Sequence, residues 1–373
     1  MFSNHRSSPL DGVRGLAAMT VVVLHLVSIF QGTEFPGYAW VDQTLEVLSY
    51  TPLSAIWAGT SAVALFFILS GYALHRMLSP GKMTYAGFAA RRIARLWIPY
   101  AATLVIASIG IALVGSHKIA GQSDWMNSFL GTSPSAAMLG QHLLMIGQFD
   151  TKPIDFVIWS LVLEMRISLI FPLIFWAVES NRPILTLIVS LGVGAVSILA
   201  QHHLGSSSTS LMATFGAQTY FVIGALISKY QSQIRHQYNR VPGPYRAVLF
   251  LGALTLYSGL RISETYSTLL GASWIIIVAL CSSHAGGFLD RSPIQWLGKI
   301  SYSLYLCHAV VLLFLINWLY PRLSFASIVL LAIPAIFLLS YWLNRFVEQP
   351  AIALSRKLGR QLGGSLSKGA VRT

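Results

Sequence analysis

The stretch LDGVRGLAAMTVVVLHL, Leu10 to Leu26, reads as the opening of a membrane helix, yet it carries Asp11 and Arg14 at one end and His25 well inside. A charge near the bilayer centre is costly, so an ionisable residue within a span marks a functional position by default. The rest of the chain has to show what surrounds this helix and what its polar residues do.

Composition supplies the surroundings. Of 373 residues, 55% are hydrophobic and 10% charged, and the mean hydropathy is +0.65. A soluble domain carries roughly 25% charged residues. One core cannot hide this much apolar surface, so lipid must cover much of it. A membrane β-barrel would show alternating segments of ~10 residues, whereas the apolar runs here are longer and uninterrupted. The expected fold is all-α, a polytopic membrane helix bundle. The net charge of +13 then belongs to loops that stay in the cytoplasm during insertion, not to a nucleic-acid surface. Cys281 and Cys307 lie inside apolar runs and read as small buried hydrophobes, not as a disulfide or a metal pair. The first span is long, lacks an Ala-x-Ala-like site and is expected to be retained.

A span needs ~20 mostly apolar residues. Ten stretches qualify: 10–30, 62–78, 95–115, 156–178, 183–201, 210–229, 244–261, 267–284, 300–320 and 324–346. Placing the N-terminus in the cytoplasm puts only Lys118, Lys152, Arg261 and Arg322 outside; Arg166 falls within a span, and the other twenty of the 25 Lys and Arg lie inside. This bias predicts both termini in the cytoplasm and an even number of spans in a multi-pass membrane protein. No repeat of 20 to 50 residues is present, which excludes a solenoid. Two outer segments are long, 31–61 and 116–155, and AAMLGQHLLMIG in the second reads as an interfacial helix. The chain divides into a membrane-embedded domain over 1–350 and a basic tail over 351–373. The tail begins amphipathic on the inner leaflet and turns Gly/Ser-rich, partly disordered.

Arg14 and His25 are eleven residues apart, so at ~100° per residue they share a face and are ~16 Å apart along the axis. In WSLVLEMRISLIFPLIF, Trp159 to Phe175, Glu164 enters from outside to a similar depth as His25, and the two are expected to pair, each easing the burial of the other. Arg166 faces another way. In ISYSLYLCHAVVLL, Ser301, Tyr305 and His308 recur at four and three residues and form a polar stripe, with His308 a second candidate base. FFILSGYAL sets Ser70 and Gly71 mid-span, where small residues let backbones or a ligand approach. RRIARLWIPY sets Arg91, Arg92 and Arg95 before the third span, where they either anchor the inner face or hold phosphate, whose oxygens suit bidentate arginine. FVEQP sets Glu348 at the same inner level, as a salt-bridge partner. The plainer alternatives are a snorkelling Arg14 and histidines used only in helix packing. Walker, His-Glu-x-x-His, Cys-x-x-Cys and Gly-x-Ser-x-Gly motifs are absent, and no metal site is expected.

Taken in order, LDGVRGLAAMTVVVLH, FFILSGY, RRIARLWIP, WSLVLEMRISLIFP, ISYSLYLCH and FVEQP resemble the acyltransferase-3 family of integral membrane acyltransferases over nearly the whole chain. The resemblance implies ten spans with both termini cytoplasmic, in the plasma (bacterial inner) membrane. It implies transfer of an acyl group, usually acetyl, from cytoplasmic acyl-CoA as co-substrate to a hydroxyl of a surface, exported or lipid-linked glycan, with no tightly bound cofactor. His25 would be the catalytic histidine, assisted by Glu164, with Arg14, Arg91, Arg92 and Arg95 along the donor path. Asp11, Ser70, Trp159, Ser301, Tyr305, His308 and Glu348 would support the pocket. Some members carry an added secreted hydrolase-like domain; the sequence here stops soon after its tenth predicted span, which favours a stand-alone glycan O-acyltransferase over a peptidoglycan-modifying fusion. His25 could act as general base or as a transient acyl carrier. The competing class is a transporter or exporter of a glycan precursor or organic acid, using the same polar spans as a pathway.

Overall fold

A computed structural model describes residues 8–81, 83–180, 182–204, 207–258 and 264–363. Arg6, Lys82, Arg261, Lys368 and Arg372 of the loop-charge pattern, and the Gly/Ser-rich end of the tail, lie outside these. Among the described residues sixteen α-helices follow one another: α1 Ser8–Ser28, α2 Ala39–Ser49, α3 Gly59–Leu78, α4 Tyr85–Val114, α5 Asp124–Asn127, α6 Ala136–Leu144, α7 Trp159–Glu179 and α8 Pro183–Leu204. The second half holds α9 Leu211–Lys229, α10 Gln231–Arg240, α11 Gly243–Tyr257, α12 Glu264–Cys281, α13 Ser283–Leu289, α14 Ser292–Leu319, α15 Phe325–Leu343 and α16 Gln349–Gly363. The all-α expectation holds, and α6 supplies the helix read in the outer segment.

The span count differs from ten. Among the described residues eight helices are long and apolar enough to cross a membrane, and nine if α12 and α13, bent by 92°, form one broken span. The stretch read as 244–261 yields α11, whose 15 residues reach ~23 Å against a hydrocarbon core of ~30 Å. The 267–284 stretch is cut after Cys281, where Ser282 caps α13 by accepting from the Ala285 N–H. Two boundaries also move. The third span starts at Tyr85, not 95, because Thr84 caps it by accepting from the Gly87 N–H; the arginine cluster is therefore inside α4. The tenth does not stop at 346. It runs through a π turn, Asn344–Glu348, into α16, so that Phe325–Leu362 is one helical stretch. The Thr84 hydroxyl donates to the Leu362 carbonyl at 2.8 Å and Gly359 lies against Arg91, which docks α16 on the start of α4.

Glycines set the closest helix contacts. A Cβ on Gly12 would fall 2.7 Å from the Leu289 carbonyl, and one on Gly15 would overlap the Leu297–Gly298 backbone. Ten residues further along each helix His25 meets His308, so α1 and α14 run parallel. Gly71 of α3 and Gly224 of α9 let those two backbones touch in the same way, as the Ser70–Gly71 pair suggested. The span Ser292–Leu319 is 83% buried and forms the centre, whereas Pro183–His203 is 17% buried and lies at the rim. Rim side chains such as Leu173 and Trp176, 70% and 74% exposed, are the apolar surface that lipid covers.

Candidate functional site

Polar side chains inside the bundle gather in two layers. The first is centred on His25. Its Nδ1 lies 2.8 Å from Nε2 of His308, and Nδ1 of His308 lies 3.1 Å from the Leu304 carbonyl oxygen. His308 is 1% exposed, whereas His25 is partly exposed. Phe156 meets the His25 ring edge-on at 4.9 Å, and Trp125 of α5 lies parallel to it at 6.1 Å. Phe129 stacks on Phe156 at 4.1 Å. The Tyr305 ring is 5.9 Å from His308; its hydroxyl donates to the Val157 carbonyl at 2.9 Å and lies 2.7 Å from the Ser160 hydroxyl. The sequence thus named two of the ring partners, His308 and Tyr305, and missed Trp125, Phe129 and Phe156. Trp125 and Phe129 come from the 116–155 segment and Phe156 from the start of the 156–178 stretch, just before α7, where no periodic pattern singles them out.

The expected His25–Glu164 pair does not form. Glu164 belongs to the second layer, where its Oε1 accepts from the Ser70 hydroxyl at 2.7 Å and from Arg92 Nη2 at 2.9 Å. Arg92 also donates to Ser168 through Nε and Nη2, at 3.2 and 2.9 Å. With Arg92 5% exposed and each side chain engaged, this is a closed ion pair. The expected shared depth of His25 and Glu164 does not hold: they lie in different layers of the bundle. Arg91 and Arg95 are partly exposed: they are four residues apart on one face of α4, while Arg92 is turned by ~100° from Arg91 toward the interior.

At the end of α1 away from His25, Arg14 Nη1 is 3.4 Å from Asp11 Oδ1, both partly exposed. Glu348, expected in a salt bridge, has none among the described residues. Its Oε2 accepts instead from Ser303 at 2.6 Å and Asn344 at 2.7 Å, two neutral donors that the π turn brings to the carboxylate. The Ser301 hydroxyl returns to the Gly298 carbonyl of its own helix at 2.9 Å, and Trp159 packs against the hydrophobic core. Among the described residues Arg166 reaches only neutral acceptors, including the Ile146 and Thr209 carbonyls at 3.0 and 2.9 Å and the Thr214 hydroxyl at 2.8 Å. It thereby staples two loops to α7.

Two groups escaped the sequence reading. Asp155 is fully buried, with Oδ2 lacking a hydrogen-bond partner among the described residues; burial pushes its carboxyl up to about 7. His75 bridges Ser228 and Glu179, at 2.9 Å each, tying together the ends of α3, α9 and α7. A cavity of about 400 Å³ opens beside the first layer, lined by Val310, Val311, Phe129 and Ile154 and by the C-terminal turns of α4. Its apolar walls suit a hydrocarbon chain. Among the described residues no group of three His, Cys, Asp or Glu side chains is placed to hold a metal ion.

Chemically, the first layer offers an imidazole with one nitrogen engaged and a partly exposed ring, which suits proton transfer or nucleophilic attack. The second offers charge neutralised in place. The profile of the acyltransferase-3 family, described as "Acyltransferase domain", matches residues 9–345. A curated protein of Bacillus subtilis (strain 168), named "Putative peptidoglycan O-acetyltransferase YrhL", is 24% identical over 338 residues, covering 83% of this chain and 49% of its own. The chain therefore spans about half the length of that relative. No solved structure matches.

Proposed function

Because the chain belongs to the acyltransferase-3 family of membrane acyltransferases, we propose that it moves an acyl group, acetyl in the simplest case, from acyl-CoA entering at the cytoplasmic side to a hydroxyl of a glycan reached from the far side. One observation carries this reading. His25 is held on one ring nitrogen by a buried neutral partner and lies ~16 Å along the same helix from Arg14. That spacing suits an extended pantetheine arm between phosphates at the inner arginines and a thioester at the imidazole. The name of the Bacillus relative favours acetyl as the group and a glycan as the acceptor.

In the general-base form, His25 takes the proton of the acceptor hydroxyl as its oxygen bonds to the thioester carbonyl carbon. The carbon–sulfur bond then breaks, and the proton passes to the departing thiolate. In the carrier form, the imidazole nitrogen bonds to the thioester carbonyl carbon as the carbon–sulfur bond breaks and the CoA thiolate leaves; the acceptor oxygen then bonds to that carbon, the carbon–nitrogen bond breaks, and the hydroxyl proton passes to the thiolate. Arg14, Arg91 and Arg95 are the phosphate candidates, since each is partly exposed. Arg92 and Glu164, expected as donor ligand and catalytic partner, are assigned instead to holding the α3–α4–α7 wall. Both termini are cytoplasmic in this reading. Parallel α1 and α14 need an odd number of crossings between them, so α11 and α12 either both cross or both do not. The total is then eight or ten, and the positive charge of the inner loops fits either, since only Arg261 changes side between them.

Mass spectrometry of surface glycans from cells with and without the protein tests this. The expected result is an ester that disappears with the protein. Unchanged glycans, together with purified protein that moves a solute and leaves acetyl-CoA intact, would return the transporter reading.

A further inference from the structure

A hydrogen-bond chain of known direction starts at a backbone carbonyl and ends on the proposed reacting ring. The Leu304 carbonyl oxygen can only accept, so Nδ1 of His308, 3.1 Å away, carries a hydrogen. In a neutral imidazole the other nitrogen then holds a lone pair. That nitrogen, Nε2 of His308, faces Nδ1 of His25 at 2.8 Å, so the hydrogen between the rings belongs to His25. The reverse arrangement would set a His308 lone pair against the Leu304 oxygen. Leu304 is 0% and His308 1% exposed, and water cannot relieve that repulsion there. A doubly protonated His308 would be a buried cation, and among the described residues no carboxylate hydrogen-bonds to either ring.

We infer that His308 is a positioning residue that fixes the tautomer of His25, with the proton on Nδ1 and the lone pair on Nε2, and so selects Nε2 as the reacting nitrogen. His308 fills the place that a carboxylate fills in a Ser-His-Asp triad, but without charge. When Nε2 takes the hydroxyl proton, the imidazolium keeps its Nδ1–H bond to His308, and that proton does not leave His25. The same lone pair would attack the thioester if His25 carries the acyl group. The parallel register of α1 and α14, set by Gly12, Gly15 and Gly298, brings the two rings edge to edge. Phe156 and Trp125 limit how the His25 ring can turn.

This inference rests on the reading of His25 as the reacting group, and two measurements let the two fail separately. Nitrogen NMR of the full-length protein with ring-labelled histidine reads the tautomer with no turnover. The expected spectrum has a protonated Nδ1 and a bare Nε2 on His25, assigned by loss of those signals in His25→Asn; a protonated Nε2 on neutral His25 overturns the inference. Kinetics with acetyl-CoA then separates positioning from packing. His308→Ala is expected to lower kcat about 100-fold or more, as other wrong-tautomer variants do, with the donor KM within about twofold of wild type. His308→Gln, whose side-chain oxygen can accept from Nδ1–H, is expected to recover to within about 10-fold of wild type. A Gln variant no better than Ala, with both folded by thermal unfolding, would overturn the assignment. Should the Ala variant not fold, the wild-type spectrum still decides.

Discussion

The two polar layers of this bundle are made from similar materials and end in opposite states. Around Glu164, a carboxylate, a guanidinium and two hydroxyls close on one another, so their mutual attraction offsets the cost of burial and little is left over for chemistry. Around His25, the partner is a second imidazole, the bond is neutral, and the ring remains partly exposed. If His25 is the reacting group, as proposed, buried charge alone is a poor guide to it. The group to follow is the one whose hydrogen-bonding capacity is only half used.

This contrast can be broken by substitution. Its largest expected structural effect is at the closed layer: Arg92→Ala leaves Glu164 without its cation and should cost about 3–5 kcal/mol. The double change Arg92→Met with Glu164→Leu should recover most of that, since a well-packed apolar replacement of a buried pair is often neutral. Unfolding of the protein in detergent reads both. Equal loss in the single and double variants would mean that the pair does more than balance its own charges. A smaller effect separates neighbouring arginines. Arg95→Ala should raise the KM for acyl-CoA about 10-fold, the ~1.4 kcal/mol of a charge-assisted contact to phosphate, with kcat held. An unchanged KM would remove Arg95 from the donor path.

A further test is the pH dependence that Asp155 imparts. Its carboxyl is raised by burial to about 7, from 3.8, so between these values the folded protein holds a proton that the unfolded chain has released. Asp155 therefore lowers stability as pH rises through this window, and the penalty is complete above about 7. At ~1.4 kcal/mol per unit the upper bound is on the order of 4 kcal/mol. Asp155→Asn should flatten the fall in Tm between pH 5 and pH 8; an identical slope in the variant would show that another group sets it.

Much of this arrangement was legible before any coordinates. Lengths of apolar runs place the spans because crossing a bilayer is a one-dimensional requirement. It worked best for 10–30, 183–201 and 210–229, and least for 244–261, where the helix is too short, and 267–284, where the chain bends at Ser282. Helical phase was equally informative: it paired Tyr305 with His308 and, read one step further, turns Arg92 away from Arg91 and Arg95. The azimuth of each helix around the bundle was not legible. Counting residues from the span ends put Glu164 at the depth of His25, yet it belongs to the other layer, and contacts between backbones at Gly15, Gly71, Gly224 and Gly298 decide which faces meet. They put α14, not α7, beside His25. The aromatic wall of Trp125 and Phe156 comes from a loop segment, and its approach to His25 depends on tertiary packing that no local pattern encodes.

The central claim is that the half-used imidazole of His25 handles the acyl group. Purified wild type and His25→Ala, matched for folded protein, can be compared for transfer of labelled acetyl from acetyl-CoA to an acceptor hydroxyl. The account predicts that the variant binds acetyl-CoA as wild type does and loses about 10²–10⁴-fold in turnover. Undiminished transfer by His25→Ala would contradict it.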